Sequence, residues 1–347
     1  MRDTIKIGRR AVGDSFPVYI IAEIGSNHDS NLNKAKELVK AAKYAGADAF
    51  KLQSFTAEGL LNPLKPDDAG KWVAHPAYPA IEKLTVPEDW HAKLMEYGRS
   101  KGITFLSAPF DSGRAELLNG LGMEAFKIAS GDLTNEPLLR QIAGYGRPVV
   151  LSTGASYLSE VTRAVEVLEG SGCEELALLH CSSLYPPAYE EVNIRAMVTL
   201  KNEFGCTVGF SDHTPGSTVP VAAVSLGARI IEKHITLDRS AKGPDHPYAM
   251  ETEEFRQMVC EIRNLERALG DGIKQPSKSE MAERVGARRS IYTRVDIHKG
   301  AKISAEMLKL VRHAYGLEPR DLNEIVGKTV TRDLRKDMPL LREDICR

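Results

Sequence analysis

The feature that most constrains this chain is an alternation. Eight short apolar runs of strand type fall at 19–23, 49–53, 104–107, 125–129, 148–152, 176–181, 207–211 and 229–234. Segments with apolar residues at helical spacing follow at 31–45, 88–101, 113–121, 136–144, 157–169, 190–203, 217–227 and 252–269. Asn31, Ser112, Asn135 and Thr252 are the expected N-caps, and Gly46, Gly102 and Gly170 the expected helix stops. Eight strand–helix units within about 250 residues predict an α/β fold, a (β/α)8 TIM barrel. An open doubly wound sheet is the second choice, since it normally uses fewer strands and no closure.

Polar residues sit at or just after the C-terminal end of every run: Glu23 and Asn27, Lys51 and Gln53, Ser107, Lys127 and Ser130, Ser152 and Thr153, Ser183 and Tyr185, Ser211 to His213, and His234. That end is the active-site face of a barrel, so the pattern points to an enzyme. His213 and His234 are 21 residues apart, about one strand-to-strand step, so both imidazoles reach the same face and are candidates to hold a divalent metal. A lone histidine at a strand end is usually a satisfied polar residue, but Ser211, Asp212 and Lys233 crowd these same ends.

Lys51 and Lys127 interrupt apolar strands, and with the hydroxyls of Ser130, Ser152 and Ser211 they suit a phosphate or carboxylate. The plain alternative is that both lysines snorkel to solvent. Glu23, Asp132, Asp212 and Asp245 are the carboxylates of the same face. Glu23 lies in an apolar strand where desolvation raises a carboxyl pKa, which suits acid–base work; an ion pair with Lys51 is the competing reading. Asp212 orients His213 or closes the turn.

Lys and Arg number 46 against 47 Asp and Glu, so no global basic field attracts nucleic acid or an anionic membrane. No stretch of about 18 apolar residues exists, the N-terminus lacks an apolar leader, and the five cysteines are scattered, which together predict a cytoplasmic protein. At 347 residues the chain exceeds one ordinary core, and its character changes after Gly270. The expected division is a catalytic barrel at 1–270, a polar linker or bridging helix at 271–287, and a small β-rich domain at 288–347 with extended runs at 297–303, 308–312, 325–328 and 338–341.

Nine segments, among them Ala22-Glu-Ile-Gly-Ser-Asn-His28, Phe50-Lys-Leu-Gln53, Phe126-Lys-Ile-Ala-Ser-Gly-Asp132, Gly209-Phe-Ser-Asp-His213, Glu232-Lys-His234 and Gly243-Pro-Asp-His246, resemble the sialic acid synthase family in the right order along nearly the whole chain. The resemblance implies condensation of phosphoenolpyruvate with an N-acyl amino hexose such as N-acetylmannosamine, giving a nine-carbon 2-keto acid and phosphate. It implies a divalent metal, Mn2+ with Mg2+ or Co2+ as alternatives, on His213 and His234. Phosphoenolpyruvate contacts map to Lys51, Lys127, Ser130, Ser152, Ser183 and Ser211, and sugar contacts to Glu23, Gln53, Asp132, Tyr185 and Asp245. Glu23 and Asp132 become the two candidates for proton transfer.

The last 60 or so residues resemble the antifreeze-like (SAF) domain of those enzymes. In such relatives it is swapped across a homodimer and sends an arginine into the partner's barrel, a position that maps to Arg312. Departures occur at Ala108, Ser183 and Asp132, where many relatives carry Thr, Asn or Glu, and at His313-Ala314-Tyr315 after the arginine. They bear on the sugar more than on the reaction, so a legionaminic or pseudaminic acid synthase acting on a diacetamido dideoxy hexose stands as the alternative. Two readings from other classes are a metal-independent Schiff-base aldolase using Lys127 or Lys51, and a carbohydrate-binding protein with an inactive barrel.

Overall fold

Alternation within each strand decides what faces the barrel axis. In the computed structural model, which describes residues 3–346, eight parallel strands follow one another as β1 (Tyr19–Glu23), β2 (Ala49–Ser54), β3 (Thr104–Pro109), β4 (Phe126–Ile128), β5 (Val149–Ser152), β6 (Leu176–Cys181), β7 (Thr207–Asp212) and β8 (Ile230–Thr236). They are hydrogen-bonded in the order β3-β2-β1-β8-β7-β6-β5-β4, and β3 and β4 lie side by side at the seam. Tyr19, Ile21, Ala49, Leu106, Ala125, Val150, Leu179 and Ile230 meet inside the barrel. Their strand neighbours Ile20, Ala22, Phe50, Leu151, Leu178, Phe210 and Ile231 point the other way into the layer beneath the helices.

An N-terminal hairpin that the sequence reading omits pairs Thr4–Ile7 with Arg10–Gly13. Its Ile5, Ile7 and Val12 join the inner cluster beside Tyr19, Ala49 and Ala125, so it closes the end of the barrel where the strands begin. Each of these buried side chains contributes about 1.5–3 kcal/mol. Polar chemistry is thereby confined to the opposite end.

Eight helices cover the barrel: α1 (Leu32–Tyr44), α2 (Glu88–Lys101), α3 (Ser112–Gly120), α4 (Glu136–Ala143), α5 (Leu158–Gly170), α6 (Ala196–Phe204), α7 (Thr218–Ser225) and α8 (Thr252–Leu269). Asn31 caps α1 by accepting from the backbone N–H groups of Asn33 and Lys34, and Asn135 caps α4. Two expected caps are corrected. Asp111, not Ser112, caps α3, accepting at 2.7 Å from Arg114 N–H, and Glu251 rather than Thr252 precedes α8. Gly170 is the last residue of α5, and the left-handed turn falls to Gly172 at φ +95°. The segment expected as helix from 190 begins as a short turn, Tyr189–Glu191, and becomes helix only at Ala196. Between β2 and α2 an excursion carries a small hairpin, Leu64–Pro66 with Trp72–Ala74.

A second unit begins at Asp271. The segment expected as linker contains a short helix, Met281–Gly286. Strands β9 (Arg289–Thr293) and β10 (Leu308–Arg312) pair antiparallel over a core of Ile291, Ile297, Ile303, Leu308, Ile325, Val330, Leu334, Leu340 and Ile345. The runs expected at 297–303 and 338–341 are held only by isolated bridges, and Ile325 ends a helical turn, Leu322–Ile325. Among the described residues no helix is long and apolar enough to cross a membrane.

Candidate active site

Following the inward-facing positions of each strand toward its C-terminal end, apolar residues give way to polar ones two residues on. Ile21 leads to Glu23, Ala49 to Lys51 and Gln53, Ala125 to Lys127, Val150 to Ser152, Leu179 to Cys181, Gly209 to Ser211 and His213, and Ile230 to Glu232 and His234. Strand register sets Lys51 beside Glu23, Glu23 beside His234, and Ser211 beside Glu232. These polar side chains line one cavity of about 720 Å³.

At its floor lie two buried lysines and two buried carboxylates. Lys51 Nζ is 2.5 Å from Glu23 Oε2 and 3.7 Å from Glu232 Oε1, while Lys127 Nζ is 3.9 Å from Glu232 Oε1. Neither lysine snorkels: both are under 5% exposed. Charges taken this far from water persist because each has an opposite partner. Lys127 also donates to Ser152 Oγ at 2.6 Å, and Ser211 donates to Glu232 at 3.1 Å. Burial pushes the Glu23 carboxyl above its ordinary range; Lys51 opposes that rise and the Glu232 carboxylate adds to it. Burial also works against charge on Glu232, yet Lys127 and Lys51 hold its carboxyl low. Gln53 donates to Glu23 Oε1 at 3.2 Å and fixes that carboxylate's plane.

Beside this floor Gly154 follows β5, its N–H donating to Ser130 Oγ at 2.9 Å. A Cβ at this position would lie 2.3 Å from Ser183 Oγ, 2.7 Å from Cys181 Sγ and 3.0 Å from Ser130 Oγ. Only glycine lets these three groups converge.

Next to Glu23 the His213 and His234 rings stand 5.5 Å apart. Burial, the main cause in both, lowers each imidazole to about 4. Both are therefore neutral near neutrality. His213 Nδ1 is 3.1 Å from the Ser182 carbonyl, which places the ring hydrogen there and leaves Nε2 a free lone pair. Asp212 is not available to orient His213: Lys233 and Thr214 occupy its oxygens, so it closes the turn.

Glu23, Lys51, Gln53, Lys127, Ser130, Ser152, Ser183, Tyr185, Ser211, His213, His234 and Asp245 line this cavity, while Asp132 stands in the turn with Ser130, its Oδ1 accepting from Asn135 at 3.2 Å. Arg312 belongs to the second unit, exposed at the end of β10. Several cavity residues escaped the sequence reading, Glu232 and Tyr248 among them. Glu232 was legible, because it is two residues from His234 on one strand and so faces the same side. Tyr248 was not, because it stands in a loop turn without strand periodicity.

The model of the NeuB family matches residues 38–274. The chain belongs to the NeuB family. Its second unit matches the SAF domain over residues 288–345. The N,N'-diacetyllegionaminic acid synthase of Legionella pneumophila is 42% identical over 97% of each chain. A pseudaminic acid synthase of Campylobacter jejuni is 38% identical over 92% of this chain and 94% of that one. Among solved structures, the N-acetylneuraminic acid (sialic acid) synthetase of Leptospira borgpetersenii, 34% identical, superposes with a TM-score of 0.74 over 81% of this chain and 94% of that one.

For a NeuB-family barrel the question is whether a divalent ion fits. Among the described residues no three His, Cys, Asp or Glu side chains converge on one point. The donors are the two neutral imidazoles. His234 Nδ1 is buried without a hydrogen-bond partner among the described residues, 3.9 Å from Asp245 Oδ2. Two neutral nitrogen donors suit a borderline transition metal better than a hard, all-oxygen cation and leave positions for water or substrate.

Proposed function

We propose that this protein condenses phosphoenolpyruvate and one water with an N-acyl amino hexose, N-acetylmannosamine in the first instance, to a nine-carbon 2-keto acid and phosphate. The observation that carries the reading is the division of one cavity into a lysine–hydroxyl floor and a pair of neutral histidines. Lys51 and Lys127 with Ser130, Ser152, Ser183 and Ser211 bind the phosphate and carboxylate of the enol substrate. Gln53, Tyr185 and Asp245 hold the sugar. A divalent ion, Mn2+ in this reading, would sit on His213 and His234 and supply Lewis-acid polarisation of a carbonyl oxygen.

Glu23 is the group that moves a proton. An anion settling on Lys51 draws off the compensation that keeps Glu23 ionised, so substrate entry itself favours the protonated carboxyl. The residues thus hold the enol substrate in line with the aldehyde while a neutral acid waits beside it. The deciding assay is phosphate release from phosphoenolpyruvate with a panel of N-acyl amino sugars, 2,4-diacetamido trideoxy hexoses included, with and without Mn2+. No release with any sugar sinks the reading.

Lys127→Met should raise KM for phosphoenolpyruvate at least about tenfold, the loss of one charge-assisted bond, with a smaller effect on the sugar. Burial, which lowers the Lys127 ammonium pKa, is the one observation on the side of the aldolase reading. Borohydride trapping of a Lys127 adduct separates the two.

Arg312 is proposed to serve the sugar site of a partner subunit in a domain-swapped homodimer. Mixing inactive His213→Ala chains with inactive Arg312→Ala chains should then restore up to about a quarter of full activity, since half the dimers are mixed and each has one complete site. Verified subunit exchange without recovery places the arginine in its own chain's chemistry.

A further inference from the structure

The loop between β8 and α8 presents a side chain to the cavity that neither spacing nor the family resemblance assigns. Tyr248 ends a short turn, His246–Tyr248. His246 pins that turn from both ring nitrogens, Nε2 lying 3.0 Å from Asp29 Oδ1 and Nδ1 2.7 Å from Thr236 Oγ1. The Tyr248 hydroxyl donates to Asp245 Oδ1 at 2.6 Å, while Asp245 Oδ2 accepts from Ser26 N–H at 2.7 Å. The ring is therefore held at both its backbone and its tip.

What it faces is specific. Its centroid is 5.0 Å from that of His234 and 5.4 Å from that of Tyr185, and Tyr185 in turn is 4.3 Å from His213. Tyr185 is 55% exposed, and both tyrosines line the cavity. The two rings form an aromatic wall directly beside the histidine pair, in a cavity whose floor is charged. An apolar wall in that place, its Tyr248 ring held by Asp245, receives an apolar group, and aromatic faces are well suited to a small aliphatic one.

On the proposed function, on which this inference rests, the aldehyde carbon lies at the histidines, so the group reaching the wall is borne by the adjacent carbon. We propose that Tyr248 is a specificity-determining residue that, with Tyr185, takes the methyl of the N-acyl substituent next to the aldehyde. Its hydroxyl has a second role, positioning Asp245 within the sugar site.

The test compares N-acetylmannosamine with N-formylmannosamine, which differ by that methyl alone, in phosphate release with Mn2+ and phosphoenolpyruvate. If the mannose skeleton is not turned over, the same pair is made on the 2,4-diamino-2,4,6-trideoxy skeleton. The wild type should prefer acetyl over formyl by about tenfold in kcat/KM, the discrimination an apolar pocket gives for one missing carbon. Tyr248→Ala should bring that ratio to about one with KM for phosphoenolpyruvate unchanged. Tyr248→Phe should keep the ratio while lowering kcat/KM for both sugars equally. A ratio that persists in Tyr248→Ala, or a wild type indifferent to the methyl, overturns the proposal although the synthase reading stands. A wild type that turns over no N-acyl sugar overturns both, a result distinct from any change in ratio.

Discussion

Replacing His234 with alanine is expected to lower turnover by about 10³-fold or more, and excess Mn2+ will not restore it. A factor of 10³ corresponds to about 4 kcal/mol of transition-state stabilisation, within reach of one Lewis acid acting on a developing oxyanion. The imidazole is the residue's contribution to the cavity: among the described residues its Nδ1 has no hydrogen-bond partner, so its removal strands none and costs the fold little. His213→Ala should match it in activity but unfold somewhat more readily, because the Ser182 carbonyl loses its donor. In the wild type, a chelator should remove activity and added Mn2+ return it, while titration calorimetry follows Mn2+ binding independently of turnover. A His234→Ala enzyme with ordinary, chelator-sensitive activity would sink the metal assignment.

Most of the barrel is legible because its signals are local and redundant. Each strand carries a two-residue rhythm that both fixes its faces and marks where apolar gives way to polar, as from Ile230 to Glu232 to His234. What escapes is set by contacts distant in sequence. Ile5 and Ile7 alternate as a strand should, yet nothing nearby says that they plug the far end of a barrel begun at Tyr19. Asp111 wins the α3 cap from Ser112 because its side chain reaches the Arg114 N–H, a choice between two good caps that spacing cannot make. Asp132 shares a motif with Lys127 and Ser130, but the turn after β4 that carries Ser130 to the cavity sets the Asp132 carboxylate against Asn135. Tyr248 is placed by His246 gripping Asp29, a pairing across more than two hundred residues.

Glu232 shows how far one overlooked residue governs the rest. Both buried lysines lie within 4 Å of its carboxylate, and among the described residues Lys127 pairs with no other carboxylate. Glu232→Leu leaves that cation with only the Ser152 hydroxyl and the Ile128 carbonyl, so the ligand-free protein should lose about 3–5 kcal/mol, the usual result of stranding one partner of a buried pair. The sign for substrate is opposite. A carboxylate that neutralises two lysines also competes with an incoming phosphate, so its removal should lower KM for phosphoenolpyruvate even as kcat falls. Ligand linkage makes the two effects visible together: phosphoenolpyruvate should raise the melting temperature of Glu232→Leu by more than it raises that of the wild type, because the anion supplies the missing negative charge. Thermal melts of both proteins across a substrate titration measure this directly. If the variant melts like the wild type without substrate, or gains less from it, then Glu232 is not the counter-charge of this floor and the lysines are held by Glu23 alone.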